Sequence, residues 1–198
     1  NVPQRYALAV EATPPPRAAL LPHIWLSDEE IRQGQRLLEQ LPDKAGTPPI
    51  ALHPYATHPD KAWKEAYWRQ LMELFESRGI PWIVIGRGSG MEGIPASRNF
   101  TNRTSLRETC ALLKSSSLLI TGDSGPMHLA GAVGTPVLAL FGPTTEEWGF
   151  FPAGPKDRVL ESQLDCRPCT LHGKKHCDRN HACMQSITPE QVMRALDE

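Results

Sequence analysis

At the centre of this 198-residue sequence stands Leu118-Leu-Ile-Thr-Gly-Asp-Ser-Gly-Pro-Met-His-Leu-Ala-Gly-Ala-Val133, followed at once by Gly134-Thr-Pro-Val-Leu-Ala-Leu-Phe141. An apolar run gives way to small and polar residues and then to apolar residues at helical spacing, which predicts a strand, a tight turn and a helix. The second apolar run predicts another strand. Ser124 suits a helix N-cap, Gly125 allows close approach of backbone to a ligand, and Pro126 is tolerated in a first helical turn.

The start of this predicted helix is a candidate phosphate site. Amides of a first turn lack intrahelical partners, and the helix dipole adds positive potential there. The run Gly-Asp-Ser-Gly-Pro also resembles the nucleophile segment of a chymotrypsin-like protease, but that all-β fold does not match a strand followed by an apolar helix. A nucleophile elbow would need glycine where Pro126 stands. An ordinary capped helix, with Asp123 satisfying amides, stays open as an alternative.

Length and composition limit the classes of protein. A chain with 40% apolar and 22% charged residues can bury one sizeable core. A formal net charge of −1 argues against a nucleic-acid partner held by bulk charge. The sequence has no run of about 18 apolar residues and no signal peptide, which predicts a soluble intracellular chain. Because it starts Asn1-Val-Pro without methionine, we expect a fragment.

Helices and strands are predicted to alternate along most of the chain. Residues 1–26 are rich in proline and favour a linker arriving from an upstream domain. The capping-box patterns Ser27-Asp-Glu-Glu30, Ser105-Leu-Arg-Glu108 and Thr188-Pro-Glu-Gln191 each open a helix. In the second of these helices we expect Leu106, Cys110 and Leu113 to share one apolar face.

The predicted strands indicate the fold class. Runs at 49–53 and 82–86 lack polar alternation, as do those at 118–120 and 137–141. Such strands, separated by amphipathic helices, require a parallel sheet covered on both faces. The prediction is therefore an α/β fold with a doubly wound, Rossmann-like sheet. Ligands of such sheets bind outside the carboxyl ends of the strands, here the loops 53–61, 86–92, 123–128 and 142–145.

A family resemblance rests on the spacing of several motifs. These are His53-Pro-Tyr-Ala-Thr-His-Pro-Asp-Lys-Ala-Trp63, Asp123-Ser-Gly-Pro-Met-His128, Phe141-Gly-Pro-Thr144 and the cysteine-containing tail 165–187. Over residues 27–198 the sequence resembles the C-terminal domain of family 9 glycosyltransferases, the lipopolysaccharide heptosyltransferases. The resemblance implies the C-terminal half of a GT-B glycosyltransferase, with a terminal helix at 188–198 and with residues 1–26 as the end of a missing N-terminal acceptor domain.

The resemblance also implies roles for individual residues. Lys61 matches a lysine that contacts the diphosphate and sugar of the donor, and Asp123 would accept hydrogen bonds from sugar or backbone; these two are the implied catalytic residues. Lys61 as a solvated loop lysine, Glu92 as a surface carboxylate and His128 as a packing residue stay open as alternatives. The other implied donor-binding residues are Thr57, His58, Gly86, Glu92, Thr104, Ser124, Gly125, Pro126, Met127, His128 and Thr144.

The implied reaction is inverting transfer of heptose, or a related sugar, from a nucleotide-diphosphate sugar such as ADP-heptose to the lipopolysaccharide core. In the family the catalytic base is an aspartate of the N-terminal domain, and no position here corresponds to it. The fragment is therefore expected to bind donor and to be inactive alone, without a required metal or cofactor, in the cytoplasm. A non-catalytic nucleotide-binding module and a zinc-binding interaction module remain as alternatives.

Four cysteines, Cys166, Cys169, Cys177 and Cys183, lie within eighteen residues. Structural zinc, free thiols and disulfides formed after purification stay open for them. His172, His176 and His181 are interleaved with these cysteines. The same segment is basic, which favours a solvated loop or, alternatively, contact with a phosphorylated acceptor or the membrane periphery. Its basic residues are Arg167, Lys174, Lys175 and Arg179.

Overall fold

A five-stranded parallel sheet forms the centre of the molecule. The computed structural model describes residues 2–42, 46–170 and 177–198. The strand order is β2-β1-β3-β4-β5, and every neighbouring pair is parallel. The strands are β1 (Ile50–His53), β2 (Trp82–Val84), β3 (Leu118–Gly122), β4 (Val137–Phe141) and β5 (Arg158–Glu161).

The helices begin largely where the capping patterns predict. All three capping boxes form, with Ser27, Ser105 and Thr188 as N-caps. Gly79 and Gly134 end two helices in the left-handed conformation that glycine accommodates without strain. The helices are α1 (Val2–Ala7), α2 (Asp28–Leu38), α3 (Glu65–Arg78), α4 (Leu106–Lys114), α5 (Gly125–Val133), α6 (Ala182–Gln185) and α7 (Pro189–Asp197), with 3-10 turns at Arg17–Leu20, Pro59–Lys61 and Glu146–Trp148.

Alternate residues of the strands face two separate hydrophobic cores. Leu52 and Ile120 pack on one side with α3, α6 and α7. Ala51 and Leu119 pack on the other with α4 and α5, over which α2 adds an outer layer. Because side chains alternate across a strand, a run of apolar residues without polar alternation supplies both cores. The predicted doubly wound α/β sheet is confirmed.

Three details differ from the sequence expectations. The edge strand β5 was not predicted, since its ends are Arg158 and Glu161 and its residues are only partly buried. Leu106 does not share the buried face of Cys110 and Leu113; it is 69% exposed. Within 1–26, α1 forms but buries none of its residues, whereas Ile24 packs against the α4–α5 core and its amide donates to Ala132 O at 2.8 Å.

Among the helices of the described residues, none combines the length and the apolar character needed to cross a membrane.

Close packing of α2 on α4 depends on Gly34. A Cβ atom on Gly34 would lie 2.6 Å from the carbonyl oxygen of Ala111, which belongs to helix backbone and cannot swing aside. Gly131, in α5, has nothing within 4 Å of the same position. Substitution of alanine for either glycine raises helix propensity, but only the substitution at Gly34 introduces a steric clash.

We expect Gly34→Ala to destabilise the fold by roughly 1–3 kcal/mol, because overpacking outweighs the better helix propensity of alanine. Gly131→Ala, as the control, should be neutral or should stabilise by up to about 1 kcal/mol. Urea unfolding of both variants measures the difference. Equal stabilities would contradict the packing argument.

Candidate functional site

The carboxyl ends of β1 and β3 mark the point where the strand order reverses. From β1 the chain moves outward to β2 and then returns to β3 on the other side of β1. The loops that leave β1 and β3 therefore diverge, and parallel sheets bind ligands in the crevice that this opens. The motifs 53–63 and 123–128 of the sequence resemblance both begin here.

An ion pair joins these two loops. Lys61, the last residue of the 3-10 turn after β1, places Nζ 2.6 Å from Oδ2 of Asp123, which lies between β3 and α5. Each side chain is 14% exposed. The loops are in van der Waals contact here, since the Cβ position of Gly122 lies 3.4 Å from the carbonyl oxygen of Lys61. Removal of either partner would leave the other charge largely desolvated and without this partner.

Beside the ion pair, a buried histidine holds two hydroxyl groups. His53 and Thr121 are partners in the β1–β3 register, and Nδ1 of His53 lies 3.1 Å from Thr121 Oγ1 and 3.2 Å from Ser124 Oγ. The two hydroxyl oxygens are 3.0 Å apart. Burial lowers the pKa of His53 to about 4, so the ring is neutral at neutral pH. Ser124 occupies the N-cap of α5 as predicted, but its hydroxyl faces this network and makes no capping hydrogen bond.

Two cavities meet at the N-terminus of α5. The first, the Lys61 cavity, has a volume of about 250 Å³. Its lining residues are Lys61, Asp123, Ser124, Gly125, His128, Phe141, Thr144, Thr145, Trp148 and Phe150. The second, the Gly86 cavity, has a volume of about 440 Å³. Its lining residues are His53, Tyr55, Ala56, Thr57, Gly86, Arg87, Thr104, Leu106, Thr109, Ser124, Gly125, Pro126 and Leu129.

The wall of the Gly86 cavity requires glycine. Gly86 has φ of 120°, and a Cβ there would lie 2.5 Å from the His53 ring. A Cβ on Gly88 would lie 2.4 Å from the ring of Tyr55, whose hydroxyl is bonded to Thr101 at 2.7 Å. The glycine-rich loop after β2 therefore packs directly on two aromatic rings.

The Lys61 cavity contains a buried hydroxyl group without a protein partner. Thr144 is 3% exposed, and its Oγ1 has no hydrogen-bond partner among the described residues. Thr145 Oγ1, from the same wall, is also without one there. A buried polar group without a partner is costly, and such groups in native proteins are concentrated where a ligand or water completes the bonding.

His128 adds a titratable group to this cavity. Partial burial lowers its pKa, and the nearby Asp123 carboxylate opposes that shift. A neutral imidazole can donate or accept a hydrogen bond.

Most of the residues implied by the sequence resemblance line these two cavities. Those in the Lys61 cavity are Lys61, Asp123, Ser124, Gly125, His128 and Thr144. Those in the Gly86 cavity are Thr57, Gly86, Thr104, Ser124, Gly125 and Pro126. His58, Glu92 and Met127 line neither one. Met127 is buried in the α4–α5 core, Glu92 is exposed, and His58 precedes the 3-10 turn that carries Lys61.

The sequence placed His53 at the start of a predicted ligand loop but gave it no role, and Thr121 and Leu106 were missed as residues of the site. A histidine at the end of an apolar run was a usable signal, because the last strand residue lies next to the ligand crevice. The partnership of Thr121 with His53 depends on strand register, which the sequence does not show. Leu106 was predicted to be a core residue because its spacing from Cys110 and Leu113 places the three on one face of a helix.

The cysteines do not assemble a metal site in the described part of the chain, where no group of three or more His, Cys, Asp or Glu side chains could hold an ion. The five cysteines, all among the described residues, form no disulfide bond. Cys110 is buried as predicted. The zinc interpretation is therefore unsupported. His172, His176, Lys174 and Lys175, which the sequence places among the cysteines, lie outside the described residues.

The arrangement combines two chemistries side by side. The Lys61 cavity offers an ammonium group, a helix N-terminus and hydroxyl groups, which suit an anionic or hydroxyl-rich ligand. The Gly86 cavity offers Tyr55, Leu106, Pro126 and Leu129, which suit a flat, largely apolar ring. One ligand with both parts can bind across Ser124 and Gly125.

Comparison with known proteins places these features in a family. The family described as glycosyltransferase family 9 (heptosyltransferase) matches residues 2–178. The chain is 35% identical to lipopolysaccharide heptosyltransferase 1 of Pseudomonas aeruginosa over 70% of its own length and 40% of that protein. It is 28% identical to lipooligosaccharide heptosyltransferase 2 of Haemophilus influenzae over 98% of its length and 61% of that protein.

The fold is also found in solved structures. E. coli ADP-heptose lipopolysaccharide heptosyltransferase II superposes with a TM-score of 0.67, at 23% identity, over 90% of this chain and 53% of that one. The chain thus spans less than two thirds of the length of each of these relatives.

The buried His53 predicts a pH dependence of stability. The unfolded chain binds a proton on this ring below about pH 6.5, whereas the folded chain binds it only near pH 4. Stability is therefore complete above pH 6.5 and is lost as the pH falls toward 4, by roughly 2.5 kcal/mol from this ring at about pH 4.5.

Urea unfolding at about pH 7 and 4.5 measures this dependence. In His53→Gln the loss of stability between the two pH values should be smaller than in the unsubstituted chain by that amount. His23, which stacks on the exposed Trp25, provides the control variant His23→Gln. Parallel pH profiles for all three proteins would refute the assignment.

Proposed function

This chain belongs to glycosyltransferase family 9, the heptosyltransferase family, and on that premise we propose that it is the donor-binding domain of a lipopolysaccharide heptosyltransferase. Its doubly wound sheet is that of GT-B glycosyltransferases. The donor we propose is a nucleotide-diphosphate sugar, ADP-heptose or a close relative, and the acceptor is the lipopolysaccharide core. The observation that carries the proposal is the pair of cavities joined at the N-terminus of α5.

The division of the donor between the cavities follows from their linings. The Gly86 cavity takes the nucleoside, with the base against Leu106 and Tyr55. The N-terminus of α5 and Ser124 bind the diphosphate, because first-turn amides and the helix dipole favour an anion. The sugar lies in the Lys61 cavity, where Asp123, His128 and Thr144 offer hydrogen-bonding groups.

Lys61 stabilises the charge that develops on the departing diphosphate. Transfer of the sugar leaves a nucleoside diphosphate with additional negative charge, and a fixed cation beside it lowers the barrier. Asp123 holds the ammonium group at 2.6 Å, in a partly buried setting where electrostatic interactions are stronger than in water. Lys61 therefore acts on the leaving group, and Asp123 positions it.

Inversion at the sugar also needs a base that removes the proton of the acceptor hydroxyl. The family resemblance places that base in an N-terminal domain, so this chain by itself binds donor and transfers nothing. The proposed transfer assigns no step to a metal ion. Neither alternative, a non-catalytic nucleotide-binding module or a zinc-dependent interaction module, is favoured by the family match or by the described cysteines.

We expect Lys61→Ala to weaken ADP binding by about tenfold or more, since it removes a partly buried cation from the diphosphate site. Isothermal titration calorimetry with ADP, with UDP and GDP beside it, measures the effect and the base preference. Lys156 is exposed and lines neither cavity, so Lys156→Ala removes the same charge as a control. Equal affinities of the two variants would rule out this role for Lys61.

Leu106→Ala should weaken ADP binding several-fold, by about 1 kcal/mol, through loss of apolar contact with the base. Because Leu106 is 69% exposed, thermal stability should hardly change. Leu8, which is 52% exposed outside both cavities, gives the matched control Leu8→Ala. Unchanged ADP affinity in Leu106→Ala would contradict the assignment of the base to the Gly86 cavity.

A further inference from the structure

The cysteine-containing tail packs against both walls of the Lys61 cavity. We define the tail segment as residues 162–170 and 177–187, the described parts between β5 and α7. The donor-binding residues that the resemblance implies include none from this segment, for which the sequence left zinc, free thiols, disulfides and a basic surface open. Its contacts point instead to the cavity.

Arg167 binds the loop that follows β4. Its guanidinium donates to the carbonyl oxygen of Thr144 at 2.8 Å and to that of Gly142, and it pairs with Glu161 at 2.7 Å. The side chain is only 5% exposed. The sequence expectation that Arg167 is part of a solvated, anion-seeking surface is therefore wrong for this residue, because its donors are already used inside the protein.

Other tail residues pack on the same loop. The amide of Cys169 donates to the carbonyl oxygen of Pro143 at 3.1 Å. A Cβ on Gly142 would come within 2.3 Å of the sulfur of Met184, so side chain and backbone are in tight contact there. The tail thus holds the loop that carries the buried hydroxyl group of Thr144.

The opposite wall of the cavity is held by the far end of the tail. His181 Nε2 lies 2.8 Å from Oδ1 of Asp60, the residue before Lys61. The indole N–H of Trp63 donates to the carbonyl oxygen of Ile187 at 2.8 Å. The 3-10 turn that ends at Lys61 is therefore attached to the tail through Asp60 and Trp63, neither of which lines the cavity.

We infer that the tail segment is a clamp that sets the width of the Lys61 cavity, with Arg167 and His181 as positioning residues for Thr144 and Lys61. This inference rests on the proposed function, since it assigns the clamp to the sugar-diphosphate part of the donor. Neither cavity has a lining residue from the tail itself. The tail acts through Thr144 and the neighbour of Lys61, and Thr144 and Lys61 line only the Lys61 cavity, so the clamp acts on that half of the donor.

The chemistry of arginine explains why this residue holds the loop. Its planar guanidinium offers five donors in a fixed fork, so one side chain can bind several carbonyl oxygens and a carboxylate at once. A lysine at the same place keeps the charge but cannot satisfy the same set of oxygens. Thr144 then loses its fixed position although the residue itself is unchanged.

Calorimetric titration with AMP and with ADP-heptose tests the clamp. In Arg167→Lys the affinity for ADP-heptose should fall by about tenfold, while the affinity for AMP stays within about twofold. His181→Asn should act in the same direction, because asparagine tolerates the φ of 54° at this position but is too short to reach Asp60. Arg179→Lys, at an exposed arginine of the same tail, is the control and should match the unsubstituted chain.

A double-mutant cycle separates positioning from general destabilisation. Thr144→Val removes the hydroxyl, and if Arg167 acts through Thr144, the double variant should bind ADP-heptose no more weakly than the weaker single variant. Additive losses, equal losses for AMP and ADP-heptose, or unchanged affinities would overturn the clamp. If Arg167→Lys does not fold, His181→Asn is used instead, and its loss of affinity for ADP-heptose is compared with its loss of affinity for AMP. If the unsubstituted chain binds neither ligand, the proposed function fails and the clamp with it.

Discussion

The parallel register between β1 and β3 is the constraint on which the site depends. It sets His53 opposite Thr121 and places side by side the starts of the two loops that the Lys61–Asp123 ion pair joins. A shift by one residue would turn every side chain to the other face of the sheet and exchange the two cores. Because both faces of the sheet are buried against helices, such a shift is strongly disfavoured. The fixed register therefore also fixes where the loops of the site begin.

The polar groups of the site form two separate sets, a neutral network around His53 and an ion pair between Lys61 and Asp123. His53 is kept neutral by burial and holds two hydroxyl groups, whereas the Lys61 cavity carries the Lys61–Asp123 ion pair and the Gly86 cavity is lined by the charged Arg87. Ser124, bonded to His53, stands between the cavities, and its side chain makes no capping hydrogen bond at the N-terminus of α5. Separation of a neutral network from an ion pair lets one crevice hold an anion beside an apolar ring.

The tail shows how a motif can be read wrongly from its composition. Four cysteines and interleaved histidines favour a metal, and the basic residues favour an anionic surface, when only residue types are considered. In the structure Arg167 and His181 are turned inward, toward backbone carbonyl groups and Asp60. Of the basic side chains that composition assigns to the outer surface, Arg167 instead binds the loop that carries Thr144, whereas Arg179 is exposed.

The sequence by itself determined four of the five strands, the helices that start at capping residues and the loops that carry the ligand crevice. Apolar runs, capping boxes and glycine stops act over a few residues, so local physics suffices to place them. Only the tertiary structure decided that His53 bonds Thr121 and Ser124, that Leu106 faces a cavity, and that Arg167 reaches Thr144. These contacts join residues far apart in the chain or depend on which face of an element is covered. Strand register and helix packing fix them, and no local pattern encodes either one.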